Sequence, residues 1–137
     1  MEHATVASRL LVWLVAAGFP VERVLQAVGI RIPRGGSVGG RVPDLTVWSQ
    51  APDGAMVWTP VTGLLLAVEI VSPESEAIDQ VIKRDEYQAV GIPHYWLVDR
   101  DAGQTVTMLR LTDGKYEVVR TMPLAWLLNG APVDHLG

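Results

Sequence analysis

The chain has 137 residues, 49% of them hydrophobic, no cysteine, and a formal net charge of −4. That length and apolar content allow one domain over 1–137 with a buried core, and the missing cysteines exclude a disulfide framework, a thiolate metal site and a cysteine nucleophile. The net negative charge argues against a surface that coats nucleic acid throughout.

The charge is uneven. Residues 1–43 carry +3 and the remainder −7, so a basic end could face a phosphate backbone while acids elsewhere hold a divalent metal. Ordinary surface fluctuation explains the same numbers. No apolar run approaches the ~20 residues of a membrane span. Leu10 to Ala17 behind a lone Arg9 makes a poor secretion signal, so a cytoplasmic location is expected.

In chain order, Val6, Leu10, Trp13, Leu14 and Ala17 recur at steps of three and four, which predicts a helix over 4–17 ended by Gly18. Residues 21–32 suit either a helix or a strand, and the Ile30, Ile32 alternation favours a strand near the end. Four glycines make 34–40 a loop. Pro43-Asp44 opens a short strand over 45–48, and 49–63 is a second loop whose Trp58 is expected to fold over an apolar surface.

Residues 64–71 follow, LLLAVEIV, with seven of eight apolar and β-branched residues at Val68, Ile70 and Val71. This predicts a central strand buried on both faces. Glu69 is the anomaly in it, because an unpaired buried carboxylate costs several kcal/mol or gives up its charge. Either a cation sits beside it or it lies at the strand's open end.

Ser72-Pro73 suits a helix start, with Ser72 or Ser75 as cap, and the helix runs to about Val90 before Gly91 and Pro93. Its apolar stripe is Ile78, Val81, Ile82 and Ala89. Asp79, Lys83 and Tyr87 form an i, i+4, i+8 line rotated roughly 100° from that stripe. A strand over 95–98 comes next, with Tyr95 and Trp96 in the core and Asp99 in the turn after it. A strand over 105–111, an Asp113-Gly114 turn and a strand over 116–120 make a hairpin. A short helix over 122–128 ends the pattern. The order implies an α/β sandwich of the α-β-β-β-α-β type, a mixed sheet with a helix on each side.

Asp44 opens one strand and Glu69 lies late in the next. Two carboxylates on neighbouring strands can converge on a hard divalent cation, Mg²⁺ or Mn²⁺, with backbone carbonyls near Ile70 completing the shell. Lys83, on the helix that returns over the sheet, could help lower the pKa of a metal-bound water or steady the phosphate it attacks. Bland readings stand beside these. Asp44 after proline could form a turn, Glu69 could make a structural ion pair, and Lys83 could be a solvated helix lysine. His3, His94 and His135 are too scattered to suggest zinc.

The set Pro43-Asp44, Glu69-Ile70-Val71-Ser72-Pro73, Asp79…Lys83…Tyr87 and Gly91-Ile92-Pro93-His94-Tyr95-Trp96-Leu97-Val98-Asp99 resembles the Uma-type restriction-endonuclease-like proteins of the PD-(D/E)XK nuclease superfamily. The resemblance is best over about 42–100. It implies a restriction-endonuclease-like core, with Asp44 and Glu69 as metal ligands in a Mg²⁺-dependent endonuclease. The superfamily lysine two residues after the glutamate is Val71 here, which implies a lysine moved to Lys83. Asp79 and Tyr87 would support the site. Arg31, Arg34 and Arg41 could hold DNA phosphates, since a glycine-rich loop lets arginines reach a groove. The alternative is a nuclease-like module that binds DNA or a partner protein without cutting. A homodimer is compatible with either.

Overall fold

In the computed structural model, residues 2–33, 39–54, 56–72 and 77–136 are described, with side chains from residue 5 onward. Ser75, Pro73 and Arg34 lie outside them. The elements are α1 (Glu2–Ala16), a 3-10 turn (Val21–Arg23), β1 (Val24–Gln26), β2 (Ile30–Arg31), β3 (Gly40–Arg41), β4 (Leu45–Trp48) and β5 (Leu64–Val71). After these come α2 (Ala77–Ala89), β6 (His94–Asp99), β7 (Thr105–Thr112), β8 (Lys115–Pro123), α3 (Leu124–Asn129) and α4 (Val133–Leu136).

Six strands form one sheet in the order β1-β4-β5-β6-β7-β8, and β2 with β3 forms a separate pair. Within the large sheet β5 and β6 run parallel, joined through α2, and the other neighbours are antiparallel. The α/β reading holds. The strand foreseen near residue 30 is only two residues long and joins the small pair instead of the main sheet. The terminal helix starts two residues late, because β8 stays paired to β7 through Pro123.

Local chemistry explains the punctuation. Asp113 and Gly114 have φ of +52° and +80° between paired Thr112 and Lys115, the two-residue turn whose twist matches a hairpin. Gly91, at φ +80°, follows α2 where the Ile92 N–H bonds back to the Tyr87 carbonyl. No described helix is long and apolar enough to cross a membrane.

β5 is buried along nearly its whole length, as its composition requires. Its alternate residues feed two cores. Leu66, Val68 and Ile70 pack with α1 and α3 through Val6, Leu10, Leu14, Leu124 and Leu127, and with Trp96 and Val98 of β6. Leu64 and Ala67 belong to the second core, with Trp48, Tyr87, Ile92, Tyr95, Leu109 and Tyr116. Tyr95 and Trp96 are therefore both core residues, on opposite faces.

The second core also fixes which side of α2 meets the sheet. Ile78, Val81 and Ile82 are 71%, 58% and 44% exposed, and the buried residue of the helix is Tyr87. The helix docks by its polar line, and the apolar stripe faces outward. The sheet beneath it offers Glu69, which needs donors and cations more than it needs aliphatic carbon.

Candidate functional site

Asp44 immediately precedes β4, one residue beyond the last paired position, Leu45↔Val68, and so sits beside Glu69 at that end of the strand pair. The Asp44 N–H bonds to the Val68 carbonyl at 3.0 Å. Its Oδ2 accepts the Ile70 N–H at 2.8 Å, which fixes the carboxylate at the end of the strand pair. Leu45 and Val68 both face the α1 core, so the next residue of each chain turns to the opposite face, where Asp44 is near enough for its charge to act on Glu69.

Glu69 is 7% exposed. Tyr87 donates its hydroxyl to Glu69 Oε2 at 2.6 Å, and Lys83 Nζ lies 3.8 Å from Oε1. Burial pushes the Glu69 carboxyl above its ordinary range; the Tyr87 bond and Lys83 pull it down, and Asp44 pushes it up. Burial and the neighbouring carboxylate raise the Tyr87 hydroxyl far above the usual phenol value, so it stays a donor. Tyr87 meets Tyr95 edge-on at 5.0 Å, and Tyr95 lies 5.7 Å from Tyr116. These rings form the apolar wall behind the acids.

Lys83 Nζ is also 3.5 Å from Asp79 Oδ2. Arg41 completes the chain of charges: its Nε is 2.7 Å from Glu86 Oε1 and its Nη1 is 3.4 Å from Asp79 Oδ1. Arg41 is thus anchored to α2 and linked through Asp79 to Lys83. Sequence reasoning missed Glu86. The signal was available, because 79, 83, 86 and 87 fall on one side of a helix. Arg31 is exposed, with Nη2 3.7 Å from Met56 Sδ. Asp44, Glu69, Lys83, Asp79 and Tyr87 come together; Arg41 joins them from the small strand pair, and Arg31 does not.

The donors suit a hard cation, being two carboxylates with no sulfur or imidazole among them. Among the described residues no three His, Asp, Glu or Cys side chains cluster closely enough to hold a metal unaided. A cation here would take two side-chain ligands and fill its shell with water or backbone oxygen.

Comparison with known proteins agrees with this architecture. A crystal structure titled as a putative nuclease belonging to DUF820, from Anabaena variabilis, superposes with a TM-score of 0.59 at 20% identity, covering 86% of this chain and 66% of that one. It shows the fold. The chain thus spans just under two thirds of that protein's length. No curated protein matches the sequence. The family model Uma2, described as "Putative restriction endonuclease", matches residues 1–134, and the chain belongs to that family.

Proposed function

We propose that the protein is a Mg²⁺- or Mn²⁺-dependent DNA endonuclease of the PD-(D/E)XK type, in which Asp44 and Glu69 hold the cation and Lys83 serves the reacting phosphate. The observation that carries this reading is the buried Glu69, with a second carboxylate, Asp44, at the adjoining end of the strand pair and a lysine 3.8 Å away. A buried acid raised towards its neutral form, beside another acid, lacks a full counter-charge. A divalent ion would supply that charge, and would lower the pKa of a bound water and neutralise phosphate oxygens.

The protein's own groups do the rest. Tyr87 fixes Glu69 Oε2 and leaves Oε1 towards Lys83. Asp79 holds Lys83 from the other side, and Arg41 holds Asp79. The ammonium is then placed to steady a phosphate oxygen or orient the attacking water. Arg31 has the exposure to meet a neighbouring DNA phosphate, and Arg34 is assigned the same role from its place in a glycine-rich stretch of sequence. Arg41, already engaged with Glu86 and Asp79, acts in this reading by positioning Lys83.

One observation favours a second reading, a module that binds DNA or a partner without cutting: Val71 occupies the position of the superfamily lysine. Nicking of supercoiled plasmid with Mg²⁺ or Mn²⁺ separates the two. Asp44→Ala and Glu69→Ala should each lower the rate more than ~100-fold, beyond the loss expected when only a supporting group is removed. Equal nicking by wild type and both variants would refute the endonuclease. Salt-sensitive DNA binding with no nicking in either metal would establish the second reading.

A further inference from the structure

The sheet face opposite Glu69 carries a second polar constellation that the proposed nuclease site does not use. His94 and Trp96 of β6 lie in register with Leu66 and Val68, on the α1 side. Arg110 is the cross-strand partner of His94, and Arg120 is the partner of Met108, which itself pairs with Trp96. From α4, His135 sets its ring edge-on to Trp96 at 6.3 Å. Together with Asp134 these residues line a cleft of about 170 Å³ over the buried Trp96.

Two features set the cleft apart from an ordinary charged surface. Among the described residues, no side-chain hydrogen bond or ion pair engages His94, Arg110, Arg120 or His135. Glu117, across the ladder from Arg110, does not close a pair with it. Two guanidiniums and two imidazoles therefore converge with their donors unspent, with Asp134 of α4 in the lining and Glu117 of β8 as the cross-strand neighbour of Arg110. In a chain of net charge −4 that is a local inversion of sign. Burial first, and then Arg110 at His94 and Arg120 at His135, hold both imidazoles below the usual histidine range, with Asp134 opposing this at His135.

We propose that this cleft is a binding site for a tetrahedral oxyanion, a free phosphate or a terminal phosphomonoester, held by Arg110 and Arg120 and capped by His94 and His135. The cleft is well below the several hundred Å³ of a drug-sized pocket, so it fits a phosphate group and not a whole nucleotide. Arginine forks and imidazole N–H groups are the donors such an anion needs. The anion would also favour the charged form of each imidazole, so binding takes up protons. The site is on the far face from Asp44, and its existence does not depend on nuclease activity.

The test uses the intact chain and its three histidines, His3, His94 and His135, whose C2–H signals are followed by NMR across a pH titration. Sulfate is the first probe, because it keeps its charge throughout the range; inorganic phosphate and a short oligonucleotide with or without a 5′-phosphate follow. Saturating sulfate should raise the midpoints of two histidines by at least about half a pH unit and leave the third unchanged. Arg110→Gln with Arg120→Gln should remove that shift and weaken sulfate binding at least ~10-fold by calorimetry. Both arginines are exposed, and an unaltered circular dichroism spectrum confirms the fold. A 5′-phosphate oligonucleotide that competes with sulfate where its unphosphorylated twin does not identifies a nucleic-acid end as the source; competition by phosphate alone identifies the free ion. Unmoved histidine midpoints in both sulfate and phosphate would overturn the proposal, as would binding that survives the double substitution.

Discussion

The two faces of the sheet are built on different principles. Where α1 and α3 cover it, one face is apolar and dry, packed from Leu10, Leu14, Leu66, Val68 and Leu127, and its polar groups are confined to the cleft beside α4. The face under α2 holds three tyrosines, a buried glutamate and a relay of ion pairs from Glu86 through Arg41 and Asp79 to Lys83. The first face gains its stability from apolar area removed from water. The second gives part of that up: α2 turns its isoleucines outward to place Tyr87 and Lys83 on Glu69. Buried polar groups of this kind are retained where function requires them, and stability is supplied elsewhere in the fold.

Breaking the dry face should have the largest effect on folding. Leu66→Ala deletes a fully buried side chain on the central strand and should cost about 2–5 kcal/mol in urea unfolding. On the polar face Tyr87→Phe removes one hydroxyl with little change in volume. It strands Glu69 Oε2 in a buried site, which should cost about 1–3 kcal/mol. A cost near zero would show that Glu69 has another donor or is solvated.

The pH dependence sharpens the same contrast. Glu69 is held above its ordinary range in the folded chain, chiefly by burial. As pH rises the unfolded chain therefore ionises first. Its contribution to stability is complete below the unfolded value and is lost as pH climbs through the raised folded value. Glu69→Gln should remove that loss, so the difference in Tm between variant and wild type should move in the variant's favour from about pH 4 to about pH 8. Mn²⁺ should restore the wild type at the high-pH end and leave the glutamine variant unaffected. A pH-independent difference would mean that Glu69 titrates as a solvated acid.

The residues that announced the site in sequence were those whose setting is local. An eight-residue apolar run with one acid in it specifies both a central strand and an unmet charge, and Pro43-Asp44 marks where the preceding strand begins. Asp113-Gly114 dictates its own hairpin. What stayed hidden depended on which side of α2 meets the sheet. Helical periodicity locates the stripe of Ile78, Val81 and Ile82 but does not say which side of the helix meets the sheet, where an apolar face is the usual choice. The deciding partner, Glu69, is separated from that helix in sequence, and its need for a donor outweighs the stripe. Arg41 shows the same limit: it directly follows a glycine-rich run, and its acid partners Asp79 and Glu86 are brought to it only by the tertiary fold.

The smallest effects test that orientation most directly. Lys83→Met keeps the length of a side chain that is 27% exposed and whose ion pairs are long, so its stability cost should stay under ~1 kcal/mol. The plasmid-nicking rate should fall far more than that. Ile82→Gln, at the adjacent residue on the outer side, preserves helix propensity and changes only a surface contact. Its cost should be within about 0.5 kcal/mol, with nicking unchanged. If Ile82→Gln instead cost as much as Leu66→Ala, α2 would have to bury its isoleucines in solution. Tyr87 and Lys83 would then be carried away from Glu69, and the grouping that makes the site would dissolve with them.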